Sequence, residues 1–183
     1  MSNFFRTGID LGGTKIESIV LDSSGRQVFR KRISSPQGSY RDTVNAITEL
    51  VLESDKQVHE ITKVGIGIPG ALSEPTGLVK NANSTWLIGK PLKSDLESSL
   101  NRRIKIENDA NCFTISEAVD GAGAQTQIVF GVILGTGVGG GITINANPLR
   151  GINSIAGEWG HNPLPWTNQQ ELNQNECYCG RKG

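Results

Sequence analysis

Two acidic residues, Asp10 and Asp109, follow short apolar runs at positions where a carboxylate could do chemistry. Asp10 leads into a glycine-containing segment, and Asp109 has an asparagine directly before it. A carboxylate in such a place can bind Mg²⁺ directly or through water, and it can accept the proton of a hydroxyl that attacks a phosphate. The alternatives are a stray acid in a structural turn at Asp10 and ordinary helix capping at Asp109.

Two glycine-rich segments, residues 11–15 and 135–141, could bind phosphate. Glycine lets backbone N–H groups approach an anion closely, and a threonine hydroxyl adds a donor. Neither segment is a Walker loop, because the GxxxxGK[ST] spacing is absent and a strand pattern follows the first segment. Each alone is also explained as a structural turn, but two such loops can hold one polyphosphate from opposite sides.

A third set of polar residues suits a ligand with many hydroxyl groups. Glu158 and His161 lie beside Gly160, and Asn81, Asn83 and Trp86 lie upstream. Each polar group can match one hydroxyl of a sugar, and an unmatched one is penalised. Taken singly, a tryptophan is more often part of a core and an asparagine more often part of a turn.

A metal site is also indicated near the end of the sequence. His161, Cys177 and Cys179 have the spacing H-x₁₅-C-x-C. Zinc prefers such ligands, but a closed structural site needs four of them, and only three are present here.

The elements that would position these residues follow an α/β pattern. Because short crossover helices connect strands, we expect parallel pairing, with an antiparallel hairpin making the sheet mixed. Ligands of such sheets bind at the carboxyl ends of strands. The predicted strands are 7–10, 16–21, 27–33, 64–68 and 104–106, the predicted helices are 40–58, 93–100 and 110–119, and 73–89 is predicted to be a loop.

The glycine pattern restarts after a small, polar stretch at 121–127. Residues 8–21 match residues 131–144 at a constant offset of 123, which pairs Gly8 with Gly131 and Ile19 with Ile142. We therefore predict two related lobes, an N-terminal α/β lobe at 1–120 and a partial second lobe at 121–183.

Composition excludes several classes of protein. The 18 Lys and Arg residues balance 18 Asp and Glu residues, so no broad basic surface is available for nucleic acid. No apolar run approaches the length of a membrane helix. An odd count of three cysteines argues against a disulfide framework. A cytoplasmic protein without nucleic-acid or membrane partners is the resulting expectation.

Together the motifs resemble the ROK family of sugar kinases and repressors, within the actin-like/hexokinase (ribonuclease H-like) ATPase superfamily. The resemblance covers the whole chain and rests most on Gly8–Lys15, Asn108–Asn111, Gly135–Gly141, Gly157–His161 and Cys177–Gly180. It implies an α/β fold of that superfamily, with a complete N-terminal lobe and a partial second lobe. It also implies an ATP-dependent hexose kinase.

The resemblance also implies roles for individual residues. Asp109 would be the general base, and Asp10 would lie near Mg²⁺. The residues implied to bind the sugar are Asn83, Asn108, Asp109, Glu158 and His161. The residues implied to bind ATP are Asp10, Gly12, Gly13, Thr14, Lys15, Gly135, Thr136, Gly137, Gly139 and Gly140. The residues implied to bind Zn²⁺ are His161, Cys177 and Cys179.

Within the family, residues 81–86 and 157–166 look most like bacterial fructokinases. The first prediction is therefore phosphorylation of D-fructose to fructose 6-phosphate. Kinases of N-acetylglucosamine, N-acetylmannosamine or glucose remain alternatives, since they share these loops. Family members are often dimers, so a homodimer is an expectation.

The ends of the sequence lead to two further expectations. Only seven residues precede Gly8, which leaves no room for the DNA-binding segment of the family's repressors. The last residue, Gly183, stands one short of the cysteine that the family's zinc pattern expects. A truncated kinase is the resulting prediction, and a non-catalytic sugar- or zinc-binding remnant is the alternative.

Overall fold

The computed structural model describes residues 4–135, 137–160, 162 and 165–174. The strands are β1 Arg6–Leu11, β2 Lys15–Leu21, β3 Gln27–Ser34, β4 Lys63–Ile68, β5 Ala71–Leu72, β6 Val79–Lys80, β7 Ile104–Asn108, β8 Ile128–Leu134, β9 Val138–Ile144 and β10 Asn147–Pro148. The helices are α1 Tyr40–Val58, α2 Leu92–Leu100, α3 Asp109–Val119 and α4 Gln169–Gln174, with a 3₁₀ turn at Thr85–Leu87.

A five-stranded mixed sheet forms the first part of the fold, in the order β3-β2-β1-β4-β7. β1 pairs antiparallel with β2 and parallel with β4, and β4 pairs parallel with β7. Ile9, Leu11 and Ile16 are buried in one core with Ile47 and Val51 of α1. The predicted mixed sheet is confirmed, and the carboxyl ends of β1, β4 and β7 lie at one edge.

Helix α1 has the bounds that its apolar spacing predicts. The side chain of Ser39 caps its first turn by accepting from the N–H of Asp42. The helix ends at Val58, and its C-cap residue His59 has a φ of 55°, in the left-handed region. Local signals at both ends therefore set the length of this helix.

The stretch 73–89, predicted to be a loop, contains secondary structure. Strand β6 pairs with β5 in a small hairpin, and the 3₁₀ turn follows. Val79 and Leu87 are almost completely buried, so each anchors this stretch to the core. The apolar runs Leu78–Val79 and Trp86–Ile88 are too short to show a strand or helix period, which is why the sequence pattern did not predict these elements. Helix α4 was likewise not predicted.

The glycine-rich hairpin β8–β9 repeats the form of β1–β2, but the constant offset fails in the second strand. Gly8 lies opposite Ile19 in the first hairpin, whereas Gly131 lies opposite Gly141 in the second. The match of Ile19 with Ile142 is therefore wrong by one residue, because the second turn is one residue shorter. The division into lobes at 120/121 stays a prediction.

No helix in the described ranges is long and apolar enough to cross a membrane.

A partly hydrated ion pair joins α1 to the turn after α2. Asp55 accepts from the Nη1 and Nη2 atoms of Arg102, at 3.2 and 2.7 Å, and also from the hydroxyl of Thr62 at 2.9 Å. Arg102 donates to the carbonyl oxygen of Thr62 as well. The two charged side chains are only 13% and 15% exposed, so protein groups, the opposite charge among them, replace most of the water around each charge.

Replacement of Arg102 by alanine should lower the free energy of unfolding by about 2 kcal/mol, because it strands the Asp55 carboxylate among protein atoms. Urea unfolding measures this change. The matched control is Arg26→Ala, since Arg26 pairs with Asp22 but its side chain is 78% exposed. That variant should change stability by about 0.5 kcal/mol or less. Equal losses in the two variants would contradict the burial argument.

Candidate functional site

The first glycine-rich turn lies at the carboxyl end of β1. The N–H of Gly12 donates to the carbonyl oxygen of Lys15 at 2.9 Å, and a Cβ at Gly12 would stand 2.9 Å from that oxygen. Glycine is therefore required for so tight a turn. Thr14 and Lys15 are exposed on it.

A cavity of about 280 Å³ opens beside this turn. Asp10 lies opposite Glu17 on β2, and Glu17 lies opposite Arg32 on β3. The Glu17 carboxylate forms ion pairs with both Arg30 and Arg32. The cavity thus combines an acidic row with basic side chains, and its lining residues are Asp10, Gly12, Thr14, Lys15, Glu17 and Arg32.

Asp109 begins α3, immediately after β7. Asn108 caps the helix, because its Oδ1 accepts from the N–H of Asn111 at 3.1 Å. The Asp109 Oδ1 accepts from the N–H of Ala110 at 2.9 Å and from the Nδ2 of Asn108 at 3.1 Å. Helix capping is thus confirmed at Asn108, and the same bonds fix the carboxylate of Asp109 in place.

The two candidate carboxylates interact. Surrounding protein atoms partly desolvate Asp109 and raise its pKa, and the charge of Asp10 raises that pKa further. Desolvation also raises the pKa of Asp10, with a further rise from Glu17 and an opposing effect from Arg32. Two mutually repelling carboxylates at one sheet edge offer hard oxygen atoms, which fits a divalent cation of the Mg²⁺ type.

The raised pKa of Asp10, caused first by desolvation and then by Glu17, predicts a dependence of stability on pH. A carboxyl with a raised pKa in the folded state contributes stability at low pH, and that contribution is lost as the pH rises through the folded pKa. Asp10→Asn should therefore unfold at higher urea concentration than the unmodified protein at about pH 7.5, and the gain should shrink towards about pH 4.

Asp22→Asn is the control with the opposite sign. The Ser24 hydroxyl and nearby backbone N–H groups lower the pKa of Asp22. Its ionised form stabilises the fold, so this variant should lose stability near neutral pH. A loss of stability in Asp10→Asn at neutral pH would show that desolvation and the charge of Glu17 do not destabilise the ionised Asp10 carboxylate.

The second glycine-rich segment contains a short turn and a strand. The N–H of Gly135 donates to the carbonyl oxygen of Gly137 at 2.9 Å, and Thr136 lies outside the described residues. Gly139 and Gly140 lie inside β9. The indole N–H of Trp159 donates to the carbonyl oxygen of Gly139 at 2.9 Å, so the strand packs against the segment that carries Glu158.

Close packing accounts for the glycine at position 140. A Cβ there would stand 2.8 Å from the carbonyl oxygen of Gly157 and 2.9 Å from Cδ1 of Trp159. Phosphate binding by Gly135, Gly137, Gly139 and Gly140 stays a prediction.

The predicted sugar-binding residues have different environments. Asn108 is buried and donates its Nδ2 to the carbonyl oxygen of Gly70 at 3.1 Å as well as to Asp109, so it holds the Asp109 carboxylate in place. Asn83 and Glu158 are exposed on the 3₁₀-containing loop and on the segment after Gly157.

Trp86 anchors the loop that carries Asn83 to helix α1 and the core. Its indole N–H donates to the hydroxyl of Thr43 at 3.1 Å, and its ring packs against the core. The packing interpretation of this tryptophan is therefore confirmed.

The predicted zinc ligands His161, Cys177 and Cys179 lie outside the described residues. Within the described part of the chain, no group of three or more His, Cys, Asp or Glu side chains could hold a metal ion.

Sequence reasoning missed Glu107 and Arg150. Arg150 donates to the Glu107 Oε2 through Nε at 2.9 Å and through Nη2 at 2.7 Å. The two residues are 43 positions apart, and neither belongs to a motif, so nothing in the sequence pairs them. Arg32 was missed as well, although the alternation along β2 and β3 carries a signal for its place beside Glu17.

Comparison with known proteins gives one family over almost the whole chain. The model of the ROK family matches residues 6–183. An N-acetyl-D-glucosamine kinase of Pectobacterium carotovorum is 43% identical over 180 residues, which is 96% of this chain and 59% of the relative. The chain therefore spans about three fifths of the length of that curated relative.

Solved structures agree with this result. A ROK hexokinase from Thermus thermophilus superposes with a TM-score of 0.80 at 26% identity, over 98% of this chain and 57% of that one. A ROK family glucokinase from Streptomyces griseus, in complex with glucose and AMPPNP, superposes with a TM-score of 0.78 at 30% identity. The match covers 100% of this chain and 55% of that one. The predicted fold, that of the actin-like/hexokinase superfamily with partial coverage, is confirmed.

Proposed function

Since this chain belongs to the ROK family, we propose that it takes part in ATP-dependent phosphorylation of a hexose, with Asp109 as the general base. One observation carries the proposal: Asp10 and Asp109 stand at the carboxyl ends of β1 and β7 and are close enough for the Asp10 charge to raise the pKa of Asp109. The glycine-rich turn at 11–15, which we propose to bind phosphate, and the candidate base therefore lie at one edge of the sheet, where ligands of α/β sheets bind.

In the proposed reaction, the oxygen of a sugar hydroxyl attacks the γ-phosphorus of ATP. The new O–P bond forms as the bond between the γ-phosphorus and the bridging oxygen breaks, and ADP leaves. The hydroxyl proton passes to the carboxylate of Asp109. The raised pKa makes Asp109 a better proton acceptor, because its basicity lies nearer neutral pH than that of a free aspartate.

The phosphates have basic and neutral donors available on the first turn. Lys15 supplies a positive charge, and the Thr14 hydroxyl and the turn's backbone N–H groups supply further donors. The turn of 135–137 is the proposed second contact. Bound beside Asp10, Mg²⁺ would neutralise charge on the phosphate oxygens.

For the sugar, we take N-acetyl-D-glucosamine as the first candidate. The Pectobacterium relative is named for that substrate and is 43% identical. Fructose, the first prediction from the sequence, finds no support in the relatives reported above. Glucose is the second candidate, since the Streptomyces griseus structure holds glucose at 30% identity. Asn83 and Glu158 are the exposed residues that we propose to bind the sugar.

Three further proposals rest on the sequence alone. Zn²⁺ would be bound by His161, Cys177 and Cys179, the protein would be cytoplasmic, and it would form a homodimer. Metal analysis and sedimentation of the purified protein test the first and third of these proposals.

Calorimetric titration with N-acetyl-D-glucosamine, glucose, fructose and a non-hydrolysable ATP analogue tests the proposed function. We expect binding of one hexose and of the analogue. Asn83→Ala should weaken hexose binding by about 1–2 kcal/mol, the cost of one lost polar contact. Asn45→Ala, exposed on α1, is the control and should not change it. Hexose binding without nucleotide binding would favour the non-catalytic alternative, and no binding of any hexose would contradict the proposal.

A further inference from the structure

Glu107 is the residue next to the end of β7, and it has no role in the site as described so far. One of its carboxylate oxygens, Oε1, accepts from the backbone N–H of Asn108 at 3.0 Å and from the Nδ2 of Asn111 at 3.1 Å. Asn108 and Asn111 flank Asp109 and bond to each other across it. Glu107 therefore braces both sides of the turn that carries the proposed base.

The arrangement of Asn111 shows that this brace is specific. Asn111 is 4% exposed, and its Oδ1 is buried without a hydrogen-bond partner among the described residues. A buried carbonyl oxygen without a donor costs free energy. The amide keeps this orientation because its Nδ2 is directed at the Glu107 carboxylate.

The other oxygen of Glu107 reaches a different part of the chain. Its Oε2 accepts both bonds from Arg150, which begins the segment 150–158. The carbonyl oxygen of Arg150 accepts from the N–H of Ala156 at 3.0 Å, which closes this segment into a compact loop. The segment ends at Glu158, one of the residues proposed to bind the sugar.

A second contact holds the same segment. The Nζ of Lys80 donates to the carbonyl oxygen of Asn153 at 2.7 Å. Lys80 precedes the loop that carries Asn83. The segment 150–158 therefore touches the elements that carry the proposed base and those that carry the proposed sugar contacts.

The pair of Glu107 and Arg150 contributes little to stability by itself. The Arg150 side chain is 54% exposed and that of Glu107 is 19% exposed. Hydrated pairs of this kind are worth about 1 kcal/mol or less. The pair matters more for the position of Asp109. The Glu107 carboxylate that binds Arg150 also accepts hydrogen bonds from Asn108 and Asn111, which flank Asp109.

We propose that Glu107 is a positioning residue, which holds the turn that carries Asp109 and ties it, through Arg150, to the segment that carries Glu158. The catalytic meaning of this tie rests on the proposed function, whereas the tie itself does not. Binding of a sugar at Glu158 would thereby also order the turn of the base.

The test measures amide hydrogen exchange by NMR in the 183-residue chain, with the variants Arg150→Met, Arg150→Lys, Glu107→Gln and the Arg150→Met/Glu107→Gln double variant. Arg150→Met should speed exchange at the Asn108 and Asn111 amides by at least about fivefold, although Arg150 contacts neither amide. Arg150→Lys should restore part of the protection. The double variant should exchange no faster than the faster single variant, because both substitutions break one link.

Arg26→Met is the matched control, since it breaks an Arg–Asp pair on another turn and should leave the amides of Asn108 and Asn111 unchanged. The tie is overturned if Arg150→Met affects exchange only within 150–157, or if the single effects add in the double variant.

A second readout separates this inference from the proposed function. Affinity for N-acetyl-D-glucosamine should fall about tenfold in Arg150→Met and in Glu107→Gln, in the range found for residues that orient a binding group. If Arg150→Met speeds exchange at the Asn108 and Asn111 amides but the unmodified chain binds no hexose, the link between Glu107 and Arg150 is supported and the proposed function is rejected. If the unmodified chain binds the sugar but Arg150→Met leaves this exchange unchanged, the link alone is rejected.

Discussion

Asp109→Asn is expected to lower the rate of phosphoryl transfer by about 10³-fold, the middle of the range for loss of a general base. Asparagine keeps the shape of the side chain and an oxygen that can accept from the Ala110 N–H, so the first turn of α3 should stay in place. It lacks the basic oxygen that takes the proton of the sugar hydroxyl. Asp109 is also implied to contact the sugar, but asparagine keeps an oxygen that can accept from the sugar hydroxyl. Hexose affinity should therefore change by less than about threefold, and the loss should lie in the chemical step.

The rate is to be measured with this chain completed by the carboxyl-terminal part of the Pectobacterium N-acetyl-D-glucosamine kinase, because the chain spans 59% of that relative. Asp22→Asn is the control, a substitution of the same type on a surface turn after β2. If Asp109→Asn keeps more than about a third of the rate of the unmodified protein, Asp109 is not the base.

Gly141→Ala is expected to lower the free energy of unfolding by about 3 kcal/mol, the upper part of the range for overpacking. A Cβ there would stand 2.7 Å from Oγ1 of Thr114, 2.8 Å from Oδ1 of Asn111 and 2.9 Å from the carbonyl oxygen of Ala110. Rotation of a side chain cannot relieve the last contact, so α3 must move away from β9. The same movement displaces Asp109, so the proposed phosphoryl transfer should fall with stability.

Urea unfolding of the 183-residue chain measures this loss. The matched control is Gly65→Ala in β4, where a Cβ would have no heavy atom within 4 Å. That variant should differ from the unmodified protein by about 0.5 kcal/mol or less. Equal stability of the two variants would show that α3 does not pack on β9 as closely as described.

Local signals predicted the regular elements of this fold well. The apolar period predicted the bounds of α1, to which the structure adds the Ser39 cap, and the apolar runs on either side of Gly12 and Gly13 predicted the first hairpin. These signals depend only on residues close together in the sequence, so they can be recognised without the tertiary structure. The position of Asp109 at a strand end followed in the same way.

Longer-range features could not be predicted from the sequence. Val79 and Leu87 lie in short apolar runs without a period, and only the core that receives these two side chains shows why they are buried. The shorter turn at 135–137 shifts the register of β9, which a comparison at constant offset does not detect. Gly140 and Gly141 suggest phosphate binding by their type, whereas contacts with Gly157 and α3 account for the absence of a side chain.

The most direct test of the central claim is ³¹P NMR of ATP and N-acetyl-D-glucosamine incubated with Mg²⁺ and the completed chain, with glucose and fructose in parallel. We predict equal amounts of ADP and a hexose phosphate, with N-acetyl-D-glucosamine the best substrate and with product formation lost in Asp109→Asn. Binding of both ATP and a hexose without formation of any hexose phosphate would contradict the claim that this site transfers phosphate to a sugar.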